Sequence, residues 1–127
     1  LVDTDNDVEL QVINDRDTIN INDLPTENIS VIAKTNTLYP GSVQFSYDGR
    51  TRTENYVPYA IAGDKPRGDF NPWNYELTTY ELTATPFSER KRRGEIGTAK
   101  TVTFTLIKED DPVDPPTSRK QALYFSR

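Results

Sequence analysis

The chain predicts an all-β fold, an antiparallel sandwich of about seven strands. Apolar residues recur at every second position in short runs, as in Thr101-Val102-Thr103-Phe104-Thr105-Leu106, and nowhere convincingly at helical spacing. Turn-forming Gly, Pro, Asn and Asp punctuate those runs at regular intervals. At 127 residues, the chain has the length of one domain that can bury a modest core unaided.

The elements follow in order. Val8-Glu9-Leu10-Gln11-Val12 alternates cleanly, and Ile19-Asn20-Ile21 alternates again before Leu24-Pro25 turns the chain. Ile29 to Ala33 puts Ile29, Val31 and Ala33 on one face and Ile32 on the other, the pattern of an inner strand. A turn at Tyr39-Pro40-Gly41 leads into Ser42–Tyr47, with Val43, Phe45 and Tyr47 on one face. Asp48-Gly49 then signals a hairpin, because both residues tolerate the positive φ of a type I′ turn. Thr51 to Val57 returns, stopped by Pro58, which has no amide hydrogen for a ladder. Tyr59 to Ala62 forms a short strand or edge piece. Past a loop at 63–77, Tyr80, Leu82 and Ala84 alternate with Glu81, Thr83 and Thr85, and Pro86 is expected to close that strand. The last strand, 101–106, is apolar at even positions, with threonines expected to face solvent. This count, with about 100 ordered residues, predicts an immunoglobulin-like sandwich, with a closed barrel as the rival.

The domain is expected to span residues 1–107. Residues 108–117, acidic and rich in proline, read as an extended linker, and residues 118–127 as a tail or the start of a further segment.

Composition narrows the chemistry. With no Cys there is no disulfide, thiolate nucleophile or cysteine zinc site, and with no His the commonest general base and metal ligand is missing. A net charge of −5 argues against general nucleic-acid binding, which depends on neutralising phosphates. The apolar runs are far shorter than the roughly 20 residues that cross a bilayer, so no direct membrane insertion is expected. The polar, acidic opening from Leu1 does not read as a secretory signal, and export would depend on a signal outside the fragment. Charge is uneven: residues 1–30 hold eight acidic side chains and one basic, whereas residues 88–100 hold five basic and two acidic.

GSVQFSYDG at 41–49, TEN at 53–55, PYAIAGD at 58–64, DFNPW at 69–73 and LTATPF at 82–87 together resemble bacterial immunoglobulin-like modules. The likeness covers about two thirds of the chain. It implies a non-catalytic structural, spacer or assembly module of a secreted or surface-anchored multidomain protein, a class that includes adhesin parts. Its expected partners are neighbouring domains or protomers of the same assembly, with exchange of a C-terminal strand as one form of assembly. The expected core comprises Val43, Phe45, Tyr59, Trp73, Tyr80, Leu82 and Phe104. Trp73 would plug one end of the sandwich, and Tyr80 would form a tyrosine corner with its hydroxyl on a backbone group. Where related modules carry a small glycine-rich loop, this chain has Ser88-Glu89-Arg90-Lys91-Arg92-Arg93-Gly94.

Four features compete for a binding role. Arg67-Gly68-Asp69 spells a tripeptide that integrin receptors recognise, but Gly63-Asp64 and Asn71-Pro72-Trp73 flank it as turn and anchor, so a structural turn is the preferred reading. Asp3, Asp5, Asp7 and Glu9 alternate like the first ligands of a calcium loop. Val8 stands where an EF-hand needs Gly and Asn14 where it needs the closing Glu, so a solvated acidic run is preferred and no cofactor is expected. A different calcium geometry, between modules, would use Asp3, Asp5 and Asp7. Arg90, Lys91, Arg92 and Arg93 form a basic tip that could hold a polyanion, against the commoner reading of a solvated hairpin. Tyr39, Tyr47, Tyr56, Tyr59, Phe70, Trp73 and Tyr75 supply rings for sugar stacking, although several must fill the core. The alternative function is therefore a module that binds a surface glycan or a receptor. No carboxylate pair has an apolar setting to raise a pKa, and no nucleophile has a base nearby in sequence, so catalysis is not expected.

Overall fold

The structure, a computed structural model, describes residues 1–36, 41–65 and 68–110. Tyr39 and Pro40 of one expected turn, Arg67 of the tripeptide and residues 111–127 lie outside them. Among the described residues the strands are β1 (Val2–Asp3), β2 (Val8–Glu9), β3 (Asp17–Asn20), β4 (Ile29–Ser30), β5 (Ile32–Ala33), β6 (Ser42–Tyr47), β7 (Arg50–Glu54), β8 (Tyr59–Ala60), β9 (Asp64–Lys65), β10 (Asp69–Phe70), β11 (Thr79–Glu89), β12 (Arg93–Ile96) and β13 (Lys100–Ile107). Two 3-10 turns, at Ile21–Asp23 and Arg90–Arg92, complete the regular elements.

One long sheet carries the order β3-β13-β11-β6-β7, with β12 also on β11. Its ladders are antiparallel except for β3, which runs parallel to β13 with Asp17 beside Phe104 and Asn20 beside Ile107. Shorter ladders, β2-β1-β4, β5-β8 and the β9-β10 hairpin, supply the remaining pairs. Leu1, Ile29, Val31, Tyr59 and Ile61 pack in one buried cluster with Val43, Phe45, Tyr80, Leu82, Phe104 and Leu106 of the long sheet. The chain is therefore an all-β sandwich, one regular sheet facing a layer of fragments.

Local chemistry accounts for the regular half. Asp48 and Gly49 both adopt positive φ, 49° and 72°, so Tyr47 pairs directly with Arg50 across a two-residue turn. Alternation in β11 and β13 sends Tyr80, Leu82, Phe104 and Leu106 inward. On the opposite face, paired threonine hydroxyls join β11 to β13, Thr79 to Thr105 at 2.8 Å and Thr83 to Thr101 at 2.7 Å.

Four sequence expectations need correction. Pro86 does not close its strand: β11 continues to Glu89. The Pro86 carbonyl accepts the Gly97 N–H at 2.9 Å, and its missing amide points the same way, into the gap where β12 gives over to β13. No ladder bond is lost there, which is how a proline sits within a strand. Ile29–Ala33 is not one strand. Ile29–Ser30 pairs with β1, Ile32–Ala33 with β8, and the Val31 carbonyl between them accepts the Ile61 N–H at 2.8 Å. The Val8–Val12 run keeps only Val8–Glu9 as strand. The Leu10 and Gln11 amides both donate to the Leu1 carbonyl, and Val8 and Val12 face outward. The return strand from Thr51 ends at Glu54 rather than Val57, because Asn55 leaves the ladder to bind the basic tip.

Among the described residues β7 is an edge strand of the long sheet, and it carries its own guard. Arg52 sits opposite Phe45 and Glu54 opposite Val43, so both charged residues share the core-side face of the sheet. Their 2.8 Å ion pair places inward-pointing charge on an edge strand, a device that discourages another chain from adding there.

Candidate functional site

The basic tip is a built structure. β11 delivers Glu89, the chain reverses through Arg90–Arg92, and Arg93 pairs back with Glu89. The turn is held from beneath by the start of β6 and the residue after β7. The Lys91 N–H donates to Asn55 Oδ1 at 2.6 Å, the Arg92 N–H to Ser42 Oγ at 3.1 Å, and the Ser42 hydroxyl to the Glu89 carbonyl at 2.7 Å. Gly41 completes the seat, since a Cβ there would collide with the backbone of Glu89.

Lys91 and Arg92 are successive left-handed residues, with φ of 61° and 58°. That conformation costs an L-residue about 1–2 kcal/mol and is ordinarily filled by Gly or Asn. The Arg90 guanidinium carbon lies 4.4 Å from the centre of the Tyr56 ring, within cation–π range. Tyr56 is 64% exposed and Val57 74% exposed, so an apolar shelf borders the cations. Among the described residues, none of Arg90, Lys91, Arg92 and Arg93 forms an ion pair. The sequence marked the four cations. It did not mark Ser42, Asn55 and Gly41, whose part depends on contacts between strands far apart in the chain.

At the Gly68-Asp69 loop, Lys65 pairs with Asp69 and Asp64 with Phe70. The Asp64 carboxylate accepts the Gly68 N–H at 3.2 Å. Asn71 secures the base through its amide to the Gly63 carbonyl and its side chain to the Ala62 carbonyl. Asp69 is exposed.

The acidic run folds into a second such loop. Asp3 is buried, and its carboxylate accepts from the Asp5 and Asn6 amides and the Asn6 side chain. Those donors, the Asn6 side chain first, hold its pKa below the ordinary aspartate value. Asp5 accepts from Thr26 and Asn28, and Asp7 from the Phe70 N–H at 2.9 Å, tying this loop to the Gly68-Asp69 loop. Each carboxylate thus already has protein donors. Among the described residues no three His, Cys, Asp or Glu side chains converge as a metal-ligand set.

The rings divide sharply. Trp73 is 6% exposed and contacts Tyr47, Tyr75 and Tyr80, with centroids 5.8, 5.9 and 4.9 Å away, and Tyr80 continues to Phe104 at 5.7 Å. Trp73, Tyr80 and Phe104 are buried in this cluster, while Tyr47 and Tyr75 at its margin are half-buried. Of the rings in the described residues, Tyr56 is the exposed one. A cleft of about 440 Å³ opens on the sandwich side among Leu10, Val31, Ile32, Phe45, Leu82 and Val102, with the Glu9–Lys34 ion pair at its lip.

In comparisons with known proteins, no family model, no curated protein and no solved structure matches the chain.

Proposed function

We propose that the chain is a non-catalytic immunoglobulin-like module of a secreted or surface-anchored multidomain protein, serving as a spacer or assembly unit. The reading rests on the resemblance of the GSVQFSYDG, PYAIAGD, NPW and LTATPF segments to such modules, and on how the last strand is held.

The observation that carries it is the parallel pairing of β3 with β13. Tension along the chain draws β3 back toward its start and β13 onward toward its end, in opposite directions along one ladder. The bonds then share the load in shear instead of opening one at a time. The exit from β13 is clamped as well. Asn20 both donates to the Glu109 carbonyl at 2.7 Å and accepts the Glu109 N–H at 3.1 Å, and Lys108 pairs with Glu27 at 3.0 Å. A spacer needs this combination, because a fixed exit direction keeps the following segment in a defined orientation.

Single-molecule pulling tests the reading. Thr105→Pro removes an amide from the β3–β13 region, whereas Thr51→Pro alters only the edge strand β7. The first substitution is expected to lower the unfolding force clearly and the second to leave it close to wild type. Equal forces for the two variants would remove the mechanical argument.

A further inference from the structure

We infer that the Arg90–Arg93 tip is a binding site for an anionic polysaccharide, one carrying carboxylate or sulfate groups. The site comprises the cations Arg90, Lys91, Arg92 and Arg93 beside the exposed Tyr56-Val57 shelf. It is independent of the spacer role.

Three observations lead to it. The first is the mismatch between backbone and side chain at the turn. Lys91 and Arg92 occupy successive left-handed positions that glycine fills without strain, and strain of this kind collects at functional sites. Among the described residues neither side chain makes an ion pair, so what the two long cations add there is charge.

The second is preorganisation. Asn55, Ser42 and Gly41 fix the backbone of the turn from below, while the four cationic side chains remain free of ion pairs among the described residues. A ligand meeting them need not order the loop, so less of its binding energy is lost to ordering. Glu89 and Glu95 flank the tip, and the segment 89–95 still carries four cations against two carboxylates in a chain of net charge −5.

The third is the apolar shelf, which decides the class of polyanion. A sugar chain alternates ring faces, which pack on Tyr56, with acidic groups, which meet guanidinium and ammonium. A duplex nucleic acid keeps its base faces stacked inside and a lipid surface presents charged headgroups, so neither offers the Tyr56-Val57 shelf a ring face to pack on it.

The test uses the whole 127-residue chain with heparin, chondroitin sulfate, polygalacturonate, neutral dextran, duplex DNA and phosphatidylserine vesicles as probes, at low and at physiological salt. Binding is expected to at least one acidic polysaccharide, with sulfated and uronate polymers separating the two anion chemistries, and to weaken as salt rises. The double variant Lys91→Gly/Arg92→Gly should bind roughly tenfold more weakly or worse, as expected when charge-assisted hydrogen bonds are lost. Its melting temperature should stay level or rise, because glycine relieves the left-handed strain. Tyr56→Ala should weaken polysaccharide binding with no change of charge. The inference is overturned if wild type binds no acidic polysaccharide at low salt, if the double variant binds as well as wild type, or if DNA or vesicles bind more tightly than every polysaccharide.

Discussion

Trp73 and Tyr80 stack obliquely, with ring centroids 4.9 Å apart and planes at 48°, and each satisfies its polar atom through a different partner. The indole N–H donates to the Tyr47 hydroxyl at 3.3 Å, and the Tyr80 hydroxyl accepts the Glu76 N–H at 2.7 Å. The Trp73 amide also donates to the Ile29 carbonyl at 2.8 Å, so one residue joins the 71–78 connection to β4, β6 and β11.

Trp73→Ala is expected to destabilise the domain by about 3–5 kcal/mol, since the cavity opens among packed rings. Tyr80→Phe keeps the ring and leaves the Glu76 amide without its acceptor, for an expected loss of about 1 kcal/mol. Urea unfolding of both variants checks the order. A Trp73→Ala domain as stable as wild type would mean that the aromatic cluster does not hold the fold.

Ser30 is fully buried, and its hydroxyl has no hydrogen-bond partner among the described residues. Burying an unpaired hydroxyl opposes folding, so Ser30→Ala is expected to raise stability by about 1 kcal/mol. The denaturant midpoint should rise with an unchanged slope. A fall in the midpoint would show that the hydroxyl does have a partner in solution.

Two carboxylates should give opposite pH dependences. Donors from Asn6 and Asp5 lower the Asp3 pKa below 3.8, so Asp3 contributes stability above that pH that is lost as pH falls through the depressed value. Burial raises the Glu54 pKa above 4.5 against the attraction of Arg52. Its contribution is therefore complete below pH 4.5 and is lost as pH rises through the raised value. Thermal melts from pH 3 to pH 7 should show Asp3→Asn flattening the acid limb. In the same melts Glu54→Gln should remove the loss on the upper side. If both substitutions changed the profile in the same direction, one of the two assignments would be wrong.

Much of the long sheet was legible because its signals are local. Tyr80, Leu82, Phe104 and Leu106 alternate with threonine and glutamate, and a pleated strand turns that alternation directly into two faces. Asp48-Gly49 announces its own turn for the same reason. The opposing layer was much less legible. The apolar run Ile29–Ala33 has the composition of a single strand, yet its two halves pair with β1 and β8. Val8 and Val12 satisfy the alternation rule and still face outward, because a strand buries a face only where a neighbour covers it. At the candidate site, four consecutive cations were visible as a charge run, but a charge run alone cannot distinguish a loose loop from a held one.

By itself the sequence determined the all-β class, the strands that alternate, the hairpin at Asp48-Gly49 and the absence of Cys and His chemistry, all of which follow from residue type and from spacing within a few positions. Tertiary structure alone decided that β3 lies parallel to β13, that Pro86 passes through a strand at a gap between two partners, and that Ser42 and Asn55 hold the basic tip. Those outcomes depend on hydrogen bonds between residues tens of positions apart. Local patterning is silent about such bonds, because it specifies which face a residue presents and not which strand will meet it.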